Sequence, residues 1–251
     1  MSFTACVLVG GKGSRLGTTS LFLPKCLTPI YGVPFLELLV KKLIFEGCSK
    51  VILITGYLSF IVEDFVSERL SSYNISTSSE EGGTGKALFK ALTLADKHDE
   101  ILCLNGDTIL DIQYEQVINY HRESNTQVTI VTTELLGVPN EGAIQISTNS
   151  EIVLFNENDN PSNDSNCCYK KASNCGCYCF NNQYLKNFIE KYDGSSLEKD
   201  ILPKLVSETK SLSFNNGIKA FWDFGTPDRL NLLPEKFSQT EIDRIYHKKL
   251  L

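Results

Sequence analysis

The sequence predicts an α/β fold built on a doubly wound sheet, and three observations carry that expectation. Short apolar, β-branched runs alternate with stretches of helical periodicity. A glycine-rich turn follows the first of those runs at once. The chain has 251 residues, 42% of them hydrophobic and 22% charged, which is enough for one substantial core of ordinary globular composition.

Ala5 to Val9 is an apolar run of the kind that makes a buried parallel strand. Phe35 to Phe45 carries Leu36, Leu39, Leu43 and Ile44 at helical spacing, with Gly47 at its C-terminal cap. Val51 to Ile54 is the next buried strand, and Ser59 to Leu70 a second amphipathic helix. A helical stretch from Ala87 to Ala95, a strand from Ile101 to Leu104 and another from Val128 to Thr133 continue the alternation. In a doubly wound sheet, ligands belong at the carboxyl ends of the strands. Leu232, Leu233, Phe237, Ile242 and Ile245 suggest a C-terminal helix over 229–251 that packs on the domain or on the partner subunit of a homodimer. There is no internal repeat or linker, so residues 1–251 are expected to form one domain.

Composition narrows the function. A formal net charge of -6 argues against a nucleic-acid partner, since backbone binding needs a basic surface. Met1 to Thr4 leads directly into the first strand, and no apolar run approaches the roughly 20 residues of a membrane span, so the expected location is the cytoplasm, with no membrane partner. The nine cysteines then read as reduced thiols. Cys175, Cys177 and Cys179 are two apart and would share one face of a strand; zinc prefers C-x-x-C pairs, so these are read as small buried hydrophobes. His98, His121 and His247 are read as bystanders.

A loop holding Gly10, Gly11 and Gly13 can turn sharply and aim its N–H groups at an anion, while Lys12 and Arg15 neutralise its charge. That describes a polyphosphate cradle, although a glycine turn after a strand can also be only a turn. The dinucleotide fingerprint fits poorly, because the third glycine is displaced to Gly17 and Leu21-Phe22-Leu23-Pro24 cannot continue a helix. The P-loop ending fits no better, since Gly13 is followed by Ser14-Arg15.

Gly10-Gly11-Lys12-Gly13-Ser14-Arg15-Leu16 with Pro24-Lys25 resembles the signature of the nucleotidyltransferases that join a nucleoside triphosphate to a sugar 1-phosphate and release pyrophosphate. The resemblance continues to Asp228. Gly82-Gly83-Thr84-Gly85-Lys86-Ala87 is similar to the segment whose backbone meets the base and ribose, which would make Gly83, Thr84 and Gly85 nucleotide-binding; Lys86 stands where that family has Gly or Ala. The alternative is a helix N-terminus with glycines chosen for packing. The base-reading position falls on Ser78. Asn105-Gly106-Asp107-Thr108 resembles the metal-binding segment, and Phe221-Trp222-Asp223-Phe224-Gly225-Thr226-Pro227 the second one, so the resemblance implies magnesium held by Asp107 and Asp223. For the sugar phosphate it implies Gly142, Glu157 and Asn174, with Lys171 or Lys170 supplying the charge of a lysine that is Asn158 here, unless the acceptor differs. Asn156 to Asn166 reads as a loop. Ser196 to Pro203 resembles the mannose-type and heptose-type guanylyltransferase branch; taken alone it is a helix start without chemistry.

The resemblance therefore implies a Rossmann-like, GT-A-like mixed sheet with a nucleotide-binding part over about 1–133 and a small sugar-binding subdomain over about 134–228. It implies transfer of a nucleotidyl group to a sugar 1-phosphate with Arg15 and Lys25 as catalytic cations, GTP and heptose or mannose 1-phosphate being the favoured pair. A uridylyl- or cytidylyltransferase, a metal-dependent glycosyltransferase and a non-catalytic nucleotide-binding subunit are the competing readings.

Overall fold

The computed structural model describes residues 2–11, 23–96, 100–134, 144–156, 169–192, 194–216 and 218–246. Chain order begins with β1 (Phe3–Leu8), a 3-10 turn at Lys25–Leu27, the short hairpin β2 (Pro29–Ile30) and β3 (Val33–Pro34), and α1 (Phe35–Phe45). Then come β4 (Cys48–Thr55), α2 (Ser59–Arg69), β5 (Ile75–Ser79), α3 (Thr84–Leu94), β6 (Glu100–Asn105), β7 (Thr108–Leu110), α4 (Tyr114–Glu123) and β8 (Val128–Thr133). The second half holds β9 (Ile144–Ile146), β10 (Ile152–Phe155), β11 (Lys170–Asn181), α5 (Asn182–Lys191), a π-helical turn at Leu197–Ile201, and α6 (Leu202–Glu208). It closes with β12 (Ser211–Phe214), β13 (Phe221–Asp223), α7 (Pro227–Asn231), α8 (Leu233–Lys236) and α9 (Gln239–Tyr246).

The sheet is mixed, with nine strands among the described residues. Its main path runs β10-β9-β11-β6-β1-β4-β5, and β8 lies against β11 with β12 beyond it. The β6-β1-β4-β5 part is parallel, as expected for strands linked through helices, whereas β11 runs antiparallel to β6, β8 and β9. Alternation along the strands divides the interior in two. Ala5, Val7, Val51 and Leu53 face one core with α1, α4 and the C-terminal helices, while Cys6, Ile52 and Ile54 face the other with α3, α5 and α6. Helices thus cover both faces, and the predicted doubly wound architecture holds.

The first helix matches its predicted bounds, and Gly47 follows it at φ +95°, where its N–H reaches the Ile44 carbonyl. Cys175, Cys177 and Cys179 are buried in one core while Tyr178 and Phe180 face the other, so the cysteines are the small hydrophobes their spacing predicted. His121 is buried too, its Nδ1 2.9 Å from the Thr129 hydroxyl, and the other two histidines lie outside the described residues.

Two expectations are corrected. The third helix begins at Thr84 rather than Ala87, because Gly83 at φ +99° supplies the turn that starts it. Among the described residues the C-terminal stretch, expected as one helix over 229–251, is three short helices up to Tyr246. Pro227 and Pro234 each sit in a first turn, and Ser238 and Glu241 form a reciprocal capping box, Ser238 N–H to Glu241 Oε2 at 2.8 Å and Glu241 N–H to Ser238 Oγ at 3.3 Å, that starts a new helix. This stretch packs on its own domain. Tyr246 meets the Phe35 ring edge-on at 5.7 Å, Tyr31 donates to the Phe237 carbonyl at 2.5 Å, and Arg244 reaches Asp111 at 2.6 Å. No helix among the described residues is long and apolar enough to cross a membrane.

Candidate active site

A cavity of about 410 Å³ opens at the carboxyl ends of the parallel strands. Leu8 and Val9 at the end of β1, Asn105 to Asp107 after β6, and Tyr57 after β4 border it. The floor is tight backbone. A Cβ on Gly56 would lie 2.7 Å from the Gly10 carbonyl oxygen, and one on Gly106 would lie 2.9 Å from the Leu8 carbonyl oxygen that accepts the Gly106 N–H. A Cβ on Gly11 would meet nothing within 4 Å among the described residues. Gly10 and Gly11 both border the cavity and bring backbone without side chains to it, which suits an anion. Gly13 and Arg15 lie outside the described residues, as do Gly142 and Glu157.

On one side of the cavity four charged groups converge. Lys25, at the start of the 3-10 turn, pairs with the Asp107 carboxylate, and Arg229 on α7 reaches Asp223 Oδ2 at 2.8 Å. The β7–β13 ribbon explains how residues so distant in sequence meet: Asp223 is registered opposite Thr108, beside Asp107, and the Phe224 N–H binds the Asp107 carbonyl at 3.2 Å. Asp223 Oδ1 accepts the Gly225 N–H at 2.6 Å. Burial pushes the Asp223 carboxyl above the usual range, and the negative charge of Asp107 pushes it further, against the pull of Lys25 and Arg229. Two carboxylates in mutual repulsion, both facing one cavity, form a hard-oxygen donor set that suits a divalent cation with phosphate oxygens and water in its other positions. Cys26 also borders the cavity, but burial raises its thiol to about 12, so it is neutral and unreactive.

Another part of the wall comes from α3 and the segment before α6. Gly83 and Gly85 are pressed against this segment: a Cβ on either would overlap a backbone carbonyl oxygen, of Ser195 for Gly83 and of Gly194 for Gly85. The Gly85 N–H donates to the Ser195 carbonyl at 2.8 Å, the Leu197 N–H donates to Thr84 Oγ1 at 2.8 Å, and Thr84 donates to Glu198 Oε2 at 2.9 Å. Gly83 and Thr84 border the cavity, but Gly85 does not; its smallness serves the packing of α3 against residues 194–196. Ser196 to Pro203 is correspondingly more than a helix start, because Glu198 projects into the cavity wall.

Three other expected residues stand apart from the cavity. Ser78 lies within β5 opposite Ile54, its carbonyl accepting from Thr55 Oγ1 at 3.3 Å, while Glu80 and Glu81 border the cavity instead. Asn174 braces a bulge in β11, accepting the Gly176 N–H at 3.0 Å and donating to the Tyr178 hydroxyl at 2.7 Å. That bulge makes room for Asn105, which a Cβ on Gly176 would strike. Lys171 is exposed on β11 opposite Gln145, and its neighbour Lys170 is 3.6 Å from Glu134. The sequence reading missed Tyr57, Glu198 and Arg229. For Arg229 a signal existed, since it follows the Thr226-Pro227 helix start at the end of the segment holding Asp223.

The chain is 28% identical over 232 residues to a mannose-1-phosphate guanylyltransferase of Mycobacterium tuberculosis, covering 89% of this chain and 61% of that protein. It is 29% identical over 228 residues to a D-glycero-alpha-D-manno-heptose 1-phosphate guanylyltransferase of Aneurinibacillus thermoaerophilus, covering 89% of this chain and 94% of that protein. It thus spans about three fifths of the mannose-1-phosphate relative and nearly all of the heptose relative. The crystal structure of HddC from Yersinia pseudotuberculosis superposes with a TM-score of 0.75 at 25% identity, covering 94% of this chain and all of that one. A second HddC structure is a complex with GMP-PN. A UDP-glucose pyrophosphorylase at 14% identity shares the fold, with a TM-score of 0.73. The profile of the nucleotidyl transferase family matches residues 4–237, and the chain belongs to that family.

Proposed function

We propose that this protein transfers a guanylyl group from GTP to a heptose or mannose 1-phosphate, giving a nucleotide-sugar and pyrophosphate. The observation that carries this reading is the convergence of Lys25, Asp107, Asp223 and Arg229 on one side of a cavity floored by bare glycine backbone. Guanine and these two sugars are favoured because a heptose 1-phosphate relative of matching length and a longer mannose 1-phosphate relative are named guanylyltransferases, and HddC was solved with GMP-PN.

An oxygen of the sugar phosphate attacks the α-phosphorus, forming one P–O bond, while the bond to the bridging oxygen of the β-phosphate breaks and pyrophosphate leaves with its electron pair. The nucleophile is already an anion near neutral pH, so no general base is needed. The residues have to position two anions and neutralise the charge between them, which is where most of the acceleration of such transfers originates. Lys25 supplies a cation to the reacting phosphate, with Arg15 as its proposed companion. Asp107 and Asp223 would hold magnesium, which supplies charge neutralisation at the phosphates when bound.

Glu80, Glu81 and Glu198 border the same cavity as Lys25 and Arg229. Carboxylates repel phosphate and accept from N–H and O–H groups, so these three suit the nucleoside and sugar hydroxyls. Residues of the 134–228 part, including Gly142, Glu157, Asn174 and Lys171, are proposed to take the sugar phosphate, in a reaction placed in the cytoplasm. Pyrophosphate release, measured with magnesium over the ribonucleoside triphosphates and dTTP crossed with mannose, glucose and heptose 1-phosphates, tests the reading. Release is expected with GTP and a manno-configured acceptor. Release with another pair would reassign the substrates, and none with any pair would remove the transferase reading.

A further inference from the structure

The Asp223–Arg229 pair sits where a metal ligand should stay available. One Asp223 oxygen is held by the Gly225 N–H and the other by the Arg229 guanidinium, 2.8 Å away. A cation on Asp223 Oδ2 would repel the Arg229 guanidinium that shares this oxygen and favour its departure. The backbone of Arg229 cannot follow, because its N–H is held by Thr226 Oγ1 and its carbonyl accepts from Trp222 Nε1 at 3.0 Å. The side chain can. It is 34% exposed and borders the cavity, so its guanidinium can swing on a fixed base without unfolding anything.

Charge gives the swing a destination. Lys25, Asp107, Asp223 and Arg229 sum to zero as two ion pairs. A divalent ion arriving with a triphosphate satisfies the two carboxylates and leaves Lys25 and Arg229 facing a polyanion. Arginine binds phosphate through paired, charge-assisted hydrogen bonds, which suits it to that second partner. Resting on the proposed nucleotidyl transfer, we infer that Arg229 is a triphosphate-binding residue held in reserve on Asp223, released to the β- and γ-phosphates when a divalent cation takes that carboxylate.

The exchange has a signature without metal and without turnover. With EDTA present, Asp223→Asn removes the carboxylate that holds Arg229, so wild type and the variant should differ in affinity for a non-hydrolysable GTP analogue, the variant binding about tenfold tighter by calorimetry. Arg229→Ala in the same assay should bind no tighter than wild type. Arg229→Ala combined with Asp223→Asn should lose the gain, and Arg229→Lys should keep part of it. With metal restored, Arg229→Ala should bind the analogue about tenfold more weakly while binding Mn2+ alone, followed by the spectrum of the free ion, at least as tightly as wild type. Equal metal-free affinity of wild type and Asp223→Asn, or weaker Mn2+ binding by Arg229→Ala, would overturn the reserve role and leave Arg229 a fixed partner of Asp223. Thermal melts on each variant separate loss of binding from loss of fold. Failure of wild type to bind any triphosphate analogue with metal would instead overturn the proposed transferase, and Arg229's role with it.

Discussion

Gly225 passes so close to Lys25 that a Cβ on it would stand 2.5 Å from the ammonium nitrogen and 2.7 Å from Asp223 Oδ1. Both contacts involve side-chain ends on the cavity side of the backbone, so Gly225→Ala can be accommodated by moving them. Such a change costs little stability and much geometry. Turnover is expected to fall about tenfold or more with the melting temperature nearly unchanged. A drop in melting temperature that matches the drop in turnover would show that Gly225 serves the fold instead.

Lys25→Ala should lower kcat about a hundredfold or more while weakening triphosphate binding far less, because the charge it neutralises grows in the transition state. Steady-state kinetics beside equilibrium binding of an analogue would separate the two. Equal losses would make Lys25 a ground-state binding residue.

Gly85→Ala tests packing rather than chemistry. Its Cβ would overlap the Gly194 carbonyl oxygen and lie 2.7 Å from Ile201 Cδ1, and a backbone atom cannot step aside as a side-chain tip can. A destabilisation of about 1–3 kcal/mol is expected, seen as a melting temperature several degrees lower. Gly11→Ala, with nothing within 4 Å of its Cβ among the described residues, should leave the melting temperature where it is.

His121 predicts an acid-sensitive fold. Burial lowers its pKa from 6.5 to about 4, the nearby charge of Glu100 opposing that only in part. The unfolded chain therefore takes up the proton more readily than the folded one. Its contribution is fully present above the unfolded pKa and is lost as pH falls from about 6.5 to about 4, with up to about 3 kcal/mol at stake. Denaturant titrations across that range should show the decline in wild type and a shallower one in His121→Gln. Identical slopes would assign the loss to other groups.

The helices and buried strands were legible because their periodicity is local. The run from Phe35 to Phe45 became a helix residue for residue, and the alternating faces of Cys175 to Phe180 followed from a period of two. Asp107 and Asp223 could be singled out from short motifs, and the β7–β13 register brings them to one cavity. Arg229 and Glu198 escaped because their meaning lies in partners that sequence spacing does not reveal: Glu198 joins Thr84 across 114 positions, and Arg229 becomes informative only once Asp223 is seen to need a counter-charge. Gly85 shows the reverse case. The segment whose backbone the resemblance aims at base and ribose includes a glycine whose N–H donates to the Ser195 carbonyl, in line with the packing alternative. The break at Ser238 is a capping box inside an apolar pattern whose spacing alone predicts one continuous helix.

The ion pair between Lys25 and Asp107 closes a loop of 82 positions, and Asp223 and Arg229 come only with β13 and α7. A chain growing on the ribosome would therefore carry an incomplete set of charges until β13 and α7 have emerged. Ligand binding then becomes a report of completed folding: a nascent chain stopped before β13 should bind no triphosphate, however well its first strands have formed. The reactive charges are completed only when β13 and α7 join the strands β1 to β12 made before them.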